Sequence, residues 1–293
     1  MKNNTQYFLI ISILNLIFFL NAYSQEPFNF NVTELEILDN GNTINGRKGG
    51  TATGDNGLKI KADNFTYDKI LNVLNAHGNV KITDEINDYE ITSEKITYLK
   101  DQEKIFTNGK TEAIFETKYN FISRNVLFLK DKMILSSSEK SQLKDRDINL
   151  YKFDKFNYSI KDGILKAKQI EIISDFNKPK NEREYYYFND GIVDIKKKDF
   201  IASKTKIKIK KNSFDNSKND PRIYGVSSDK KGEITTINKG TFTSCAKNDD
   251  CPPWSISSSK ILHDKQKKQI IYNDALLKIY DVPVLYFPKF FHP

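Results

Sequence analysis

The sequence predicts an all-β fold built from repeated units, and three observations carry that expectation. A pattern of apolar and small residues returns about every thirty positions, the residues within it alternate with period two, and polar turn formers follow each copy. Period-two alternation marks a strand with one face buried, because successive side chains point to opposite sides of a sheet.

The first copy is Ile60, Ala62, Phe65 and Tyr67. It returns as Ile91, Ser93, Ile96 and Tyr98, then as Phe121, Ser123, Val126 and Phe128. A fourth copy, with Phe153 at the small position, is Tyr151, Phe153, Phe156 and Tyr158, so the starts step by 31, 30 and 30 residues. Two weaker copies follow at wider spacing, Phe200/Ala202/Thr205/Ile207 and Ile256/Ser258/Ile261/His263. Each copy slips by one residue between its second and third marked positions. A bulge or bend must absorb that slip if both halves are to face the same interior.

Turn chemistry separates the strands. Asp68-Lys69, Lys100-Asp101, Lys130-Asp131 and Lys161-Asp162-Gly163 follow the last aromatic of successive copies and read as compact hairpin turns. A second strand runs back through Asn72 to Ala76, Gly78-Asn79 is expected to open a third, and Gly109 takes the same place one unit on. Asn177–Glu184 and Asn212–Pro221 read as loops. After residue 25 no segment shows helical period with caps. A unit of this size cannot bury its apolar face alone, so stacked copies share one interior and leave open strand edges at the ends.

Composition narrows the class. Of 293 residues 38% are hydrophobic and 12% aromatic, too apolar for a disordered chain. The net charge of +8 comes mostly from Lys interspersed with acids, not gathered in a stripe, so nucleic acid is not expected as a partner. At the N-terminus Lys2 precedes an apolar run from Tyr7 to Leu20, and Ala22-Tyr23-Ser24 suits signal peptidase. Residues 1–24 are therefore expected to be a cleaved signal peptide and 25–57, glycine-rich toward its end, a flexible lead-in. Residues 58–240 are assigned to the repeats and 241–293 to a segment bearing Cys, Trp and Pro.

No catalytic apparatus is evident, and neither an enzyme activity nor a cofactor is expected. His77 lies beside a glycine, His263 occupies a repeat position and His292 is next to last; none has a nucleophile or carboxylate at telling spacing. Asp145-Arg146-Asp147 and Asp249-Asp250 read as solvated loops, and Gly46–Gly50 lacks the strand–helix context of a phosphate loop. No metal site is expected. Cys245 and Cys251 are close enough for a local disulfide, with pairing to another chain equally open. The apolar interior is either a closed core or, if its walls splay, a trough for extended apolar molecules.

Residues 58–68, LKIKADNFTYD, continuing to Ala76-His77-Gly78-Asn79-Val80-Lys81-Ile82, resemble the OstA repeat of the lipopolysaccharide-transport proteins. The stretch from Gly240 to Cys245, Cys251-Pro252-Pro253-Trp254, and residues 273–288 are similar to the outer-membrane member, the LPS-assembly LptD family. Together they span about residues 57–293, and the chain is identified as the N-terminal region of that family without its C-terminal barrel. The resemblance implies an open, V-shaped β-jellyroll carrying lipopolysaccharide acyl chains toward the outer membrane. Phe65, Tyr67, Ile96, Tyr98, Val126, Phe128, Phe156 and Tyr158 are then the lining residues. It further implies strand-edge pairing with a periplasmic bridge protein, and an outer-membrane barrel with its plug lipoprotein as partners. Cys245 and Cys251 match family cysteines that join others beyond the barrel; here a local disulfide or a link to a separate polypeptide would replace them. The alternative is a structural or adhesive periplasmic β-solenoid with a closed core.

Overall fold

A computed structural model describes residues 27–54, 57–211, 219–246 and 253–292. The expected signal peptide at 1–24 lies outside them. Among the described residues, twenty strands make one antiparallel sheet. In order these are β1 (Phe28–Leu38), β2 (Thr43–Gly54), β3 (Leu58–Ala62), β4 (Asn64–Asp68), β5 (Val73–Asp84), β6 (Tyr89–Leu99) and β7 (Lys104–Phe115). Next come β8 (Tyr119–Arg124), β9 (Leu127–Leu129), β10 (Ile134–Ser137), β11 (Ser141–Lys144), β12 (Leu150–Ser159) and β13 (Ile164–Ile173). The last are β14 (Tyr185–Asp194), β15 (Asp199–Lys208), β16 (Arg222–Lys231), β17 (Ile234–Thr243), β18 (Trp254–Asp264), β19 (Gln269–Ile279) and β20 (Val282–His292).

The slip in each repeat becomes a crease. Lys48, Asn79, Lys155, Lys204, Lys239 and Asp274 have positive φ in mid-strand, and Asn125 has it between β8 and β9. Pairing registers jump near several of these residues, at His77/Val80 and Asp154/Asn157 for example. One extra residue turns the pleat over, so the side chains before and after the crease face the same interior. All four marked residues of the fourth copy are buried, Tyr151 and Phe153 before the crease, Phe156 and Tyr158 after it.

Two expectations about glycines change. Gly78 does not open a new strand but sits at the crease of a continuous β5 with φ +80°, and Gly109 does the same in β7 with φ +84°. A Cβ on Gly78 would run into the side chain of Asp63, whose carboxylate accepts a hydrogen bond from Asn79 at 2.8 Å. The lead-in expectation is corrected as well, since residues 28–54 form β1 and β2. Gly50 is there for close approach: a Cβ on it would collide with the β1 backbone at Asn31 and Val32.

The open, V-shaped jellyroll is overturned. Strand β7 pairs with both β8 and β9, these pair with β11 and β10, and both of those pair with β12. The pairings thus close a barrel-type ring of six strands around the crease. The space inside is filled, because rings from one side of the crease touch rings from the other. Phe121 on β8 lies 5.0 Å from Phe156 on the far half of β12, and Tyr89 on β6 lies 5.3 Å from Phe128 on β9. Burying such side chains stabilises by roughly 1.5–3 kcal/mol each, with about 0.5–1.5 more for each well-placed ring pair. A splayed arrangement would forfeit both.

Candidate functional site

The interior is where the sequence-derived lining residues gather. Phe65, Tyr67, Ile96, Tyr98, Val126, Phe128, Phe156 and Tyr158 are all buried, each at 4% exposure or less. They lie beyond the crease in their strands and pack against residues from the near halves. Phe28 on β1, for instance, contacts Tyr67 and Tyr98 with ring centroids 5.2 and 5.7 Å apart. Polar ring ends are tied inside. Tyr67 Oη donates to Asn72 at 2.8 Å and Tyr98 Oη donates to Glu103 at 2.8 Å.

A row of ion pairs closes the seam where the rims of the two walls meet. Lys196, in the turn after β14, binds Glu116, in the turn after β7, at 2.8 Å. Lys198 binds Asp147 at 2.9 Å, and Lys265, after β18, binds Glu184, before β14. In each pair the acid stands on the rim of the near halves and the lysine on the rim of the far halves. The last pair is the most sheltered, with only 6% of the Glu184 side chain exposed. Burial pushes the Glu184 carboxyl up, but Lys265, His263 and a hydrogen bond from Tyr186 outweigh it and hold the group below its usual range. Burial, reinforced by the charge on Lys265, holds His263 below the usual imidazole range.

A cavity of about 150 Å³ remains at the seam between Tyr151 and Tyr186 on one rim and Phe200, Lys198, Lys230 and Lys265 on the other. Burial, reinforced by the charge on Lys265, keeps the Lys230 ammonium below the usual lysine range. The loop expectation for Asp145 needs revision. Its side chain is buried and accepts hydrogen bonds from Asn149 at 2.8 Å and Tyr151 at 3.0 Å. Nothing in the spacing of these residues announces the seam, because the partners come from turns as much as 81 positions apart.

The other sequence-marked residues scatter. His77 is exposed on β5, and His292 on β20 shares a hydrogen bond with Tyr272 at 2.9 Å. Residues 46–50 lie within β2 and shape no phosphate loop. Cys245 is half-buried, its thiol 3.6 Å from the Trp254 carbonyl, whereas Cys251 and Asp249-Asp250 fall outside the described residues. Among the described residues no group of three or more His, Cys, Asp and Glu is placed to hold a metal. No helix among them is long and apolar enough to cross a membrane.

Comparison with known proteins yields a local likeness. No family model matches the chain. It is 39% identical over 58 residues to the LPS-assembly protein LptD of Yersinia pestis bv. Antiqua (strain Antiqua), and equally to that of Yersinia pseudotuberculosis serotype I (strain IP32953). The identification of the chain as the barrel-lacking N-terminal region of that family is thereby corrected. The strands close into a ring where an open trough was implied, and the similarity does not extend over residues 57–293. The matched segment is 20% of this chain and spans 7% of the length of those relatives.

Proposed function

We propose that this chain is a non-enzymatic, structural or adhesive β-solenoid of the bacterial periplasm, with a closed core, acting through its outer faces and strand edges. The sealed seam carries the reading. Rings meet across the interior, and three lysine–carboxylate pairs join the rims among the described residues. Strands β1 and β20 each pair on one side only there, and an unpaired edge is a template for another strand. The test is uptake of an environment-sensitive apolar fluorophore by the folded protein. A closed core leaves its emission unchanged, and saturable enhancement that is lost when Phe128 is changed to Asp would overturn the reading.

The local likeness to LptD favours a second reading, in which the protein handles lipopolysaccharide. Acyl chains would then lie among Phe65, Tyr67, Ile96, Tyr98, Val126, Phe128, Phe156 and Tyr158 once the walls part along the seam. Each buried methylene would supply about 0.8 kcal/mol toward replacing the lost ring contacts. The partners would be a periplasmic bridge protein at one strand edge and an outer-membrane barrel with its plug lipoprotein at the other. Photo-crosslinkers at Tyr67, Tyr98 and Phe128 separate the two readings. Capture of lipopolysaccharide in cells supports the second, and none at any of these positions in a folded protein leaves the first.

A further inference from the structure

The cavity at the seam combines an apolar floor with a group of ammonium ions. Ile172 and the ring of Tyr186 come to it from the near wall, Val193 and Phe200 from the far wall, and all four are buried. Phe200 and Tyr186 face each other across the seam with ring centroids 5.6 Å apart, so the floor exists only where the walls meet. Lys198, Lys230 and Lys265 reach the same space from the turn before β15, from β16 and from the turn after β18. All three are at least partly exposed, which sets their charge on the solvent side of the floor. An apolar cavity of about 150 Å³ holds a molecule the size of benzene.

The three lysines are not equally engaged. Lys198 is bound to Asp147 and Lys265 to Glu184, whereas the Lys230 ammonium donates to the Lys198 carbonyl at 2.8 Å. One hydrogen bond uses one of the three N–H directions of an ammonium group, so Lys230 keeps two for an anion. Among the described residues Glu233 is the one acid of the lining. Burial and the charges on Lys265 and Lys198 outweigh Glu233 and Asp199, and hold Lys230 below the usual lysine range.

We propose that this cavity binds a small organic carboxylate of about six carbons, its head on Lys230 and its apolar tail on Phe200, Val193 and Ile172. The carboxylate accepts from Lys230 within the field of Lys198 and Lys265, and such charge-assisted bonds are about twice as strong as neutral ones. Inorganic phosphate meets the charge but leaves the floor uncovered. A neutral alcohol covers the floor but leaves the charge unmet. The bound molecule touches both walls and ties them together. Such binding rests on the closed seam of the first reading, because parted walls have no floor here.

Calorimetry on the full chain tests this with hexanoate, acetate, 1-hexanol and inorganic phosphate. Hexanoate is expected to bind at least about tenfold more tightly than each of the other three. Lys230→Met is expected to weaken hexanoate about tenfold, whereas Lys196→Gln, at a seam pair outside the cavity, should bind it like the parent. In the parent, hexanoate at about ten times its Kd should slow acylation of Lys230 by an activated ester about tenfold and leave Lys196 unchanged. That protection serves if Lys230→Met fails to fold. No hexanoate binding, equal binding of acetate or 1-hexanol, tighter binding of phosphate, equal loss in both variants, or an unprotected Lys230 would each overturn the proposal. The apolar fluorophore separates the two ways to fail. Its uptake marks failure of the closed core, and no uptake without hexanoate binding marks failure of the cavity assignment alone.

Discussion

Lys196 and Glu116 meet at 2.8 Å across the seam although 80 positions separate them in the chain, and Lys196 also donates to the Lys161 carbonyl at 3.0 Å. Each of the two is about a third exposed, so water screens the pair and its worth is about 0.2–1 kcal/mol. Lys196→Glu is expected to lower the midpoint of thermal unfolding by about 1–3 °C at low salt. Adding Glu116→Lys should recover it, and high salt should shrink both effects. A single variant that melts like the parent at low salt would count against the pair.

The sheltered pair at Lys265 and Glu184 should matter more. Lys265→Met leaves the carboxylate of Glu184, whose side chain is 6% exposed, without its cation and is expected to cost about 2–3 kcal/mol. That is below the figure for a fully dry pair because a quarter of the Lys265 side chain meets water. Chemical denaturation of Lys265→Met beside Lys265→Met/Glu184→Gln checks it, and the double variant should regain part of the loss.

Acid should loosen the seam in two steps. The folded pKa of His263 is lowered by burial, so its contribution is present above the unfolded imidazole range and is lost as pH falls through the folded value. The Glu184 carboxyl is also lowered, with Lys265 outweighing burial, and its contribution disappears further down, below the ordinary carboxylate range. Unfolding free energy should fall from about pH 6.5 downward. In His263→Phe the upper step should vanish and the lower remain; a profile unchanged by that substitution would refute the assignment.

Phe121 links the two walls through Phe156 and Tyr158 and also touches Phe153 on its own wall, with ring centroids between 5.0 and 6.4 Å. Phe121→Ala removes those contacts and opens a void, at an expected cost of about 3–5 kcal/mol. Phe121→Leu should cost about half as much. Denaturant titration measures both, and near-equal stability of the alanine variant would show that the interior is not tightly filled.

Gly78→Ala tests the crease. The residue has φ +80°, and a methyl group there would press on Asp63. Strained backbone and contact together are expected to cost about 1–2 kcal/mol. Asp63→Gly in the same chain should relieve the contact and leave the backbone part, which thermal unfolding of single and double variants resolves.

Strand residues were the legible part. The spacing of Ile60, Ala62, Phe65 and Tyr67 announces both a buried face and a break in it, because alternation and its interruption are local consequences of the pleat. Gly78 was misread for the same reason, since a glycine followed by asparagine marks either a turn or a bulge, and only the pairing of β5 with β6 on both sides of it distinguishes them. The seam was not legible at all. Asp147, Glu184, Lys198 and Lys265 sit in polar turns and look there like ordinary solvated charge.

From sequence alone this protein is a repeat-built, all-β chain whose strands bend once in the middle, because side-chain alternation and turn chemistry act over a few residues. Tertiary structure decided that the bent strands close on a filled interior and do not splay. That outcome depends on whether opposing rings and opposing charges reach one another across the crease. Phe121 reaches Phe156, and Lys196 reaches Glu116. These are long-range contacts between walls, and no local pattern in the chain encodes the distance between them.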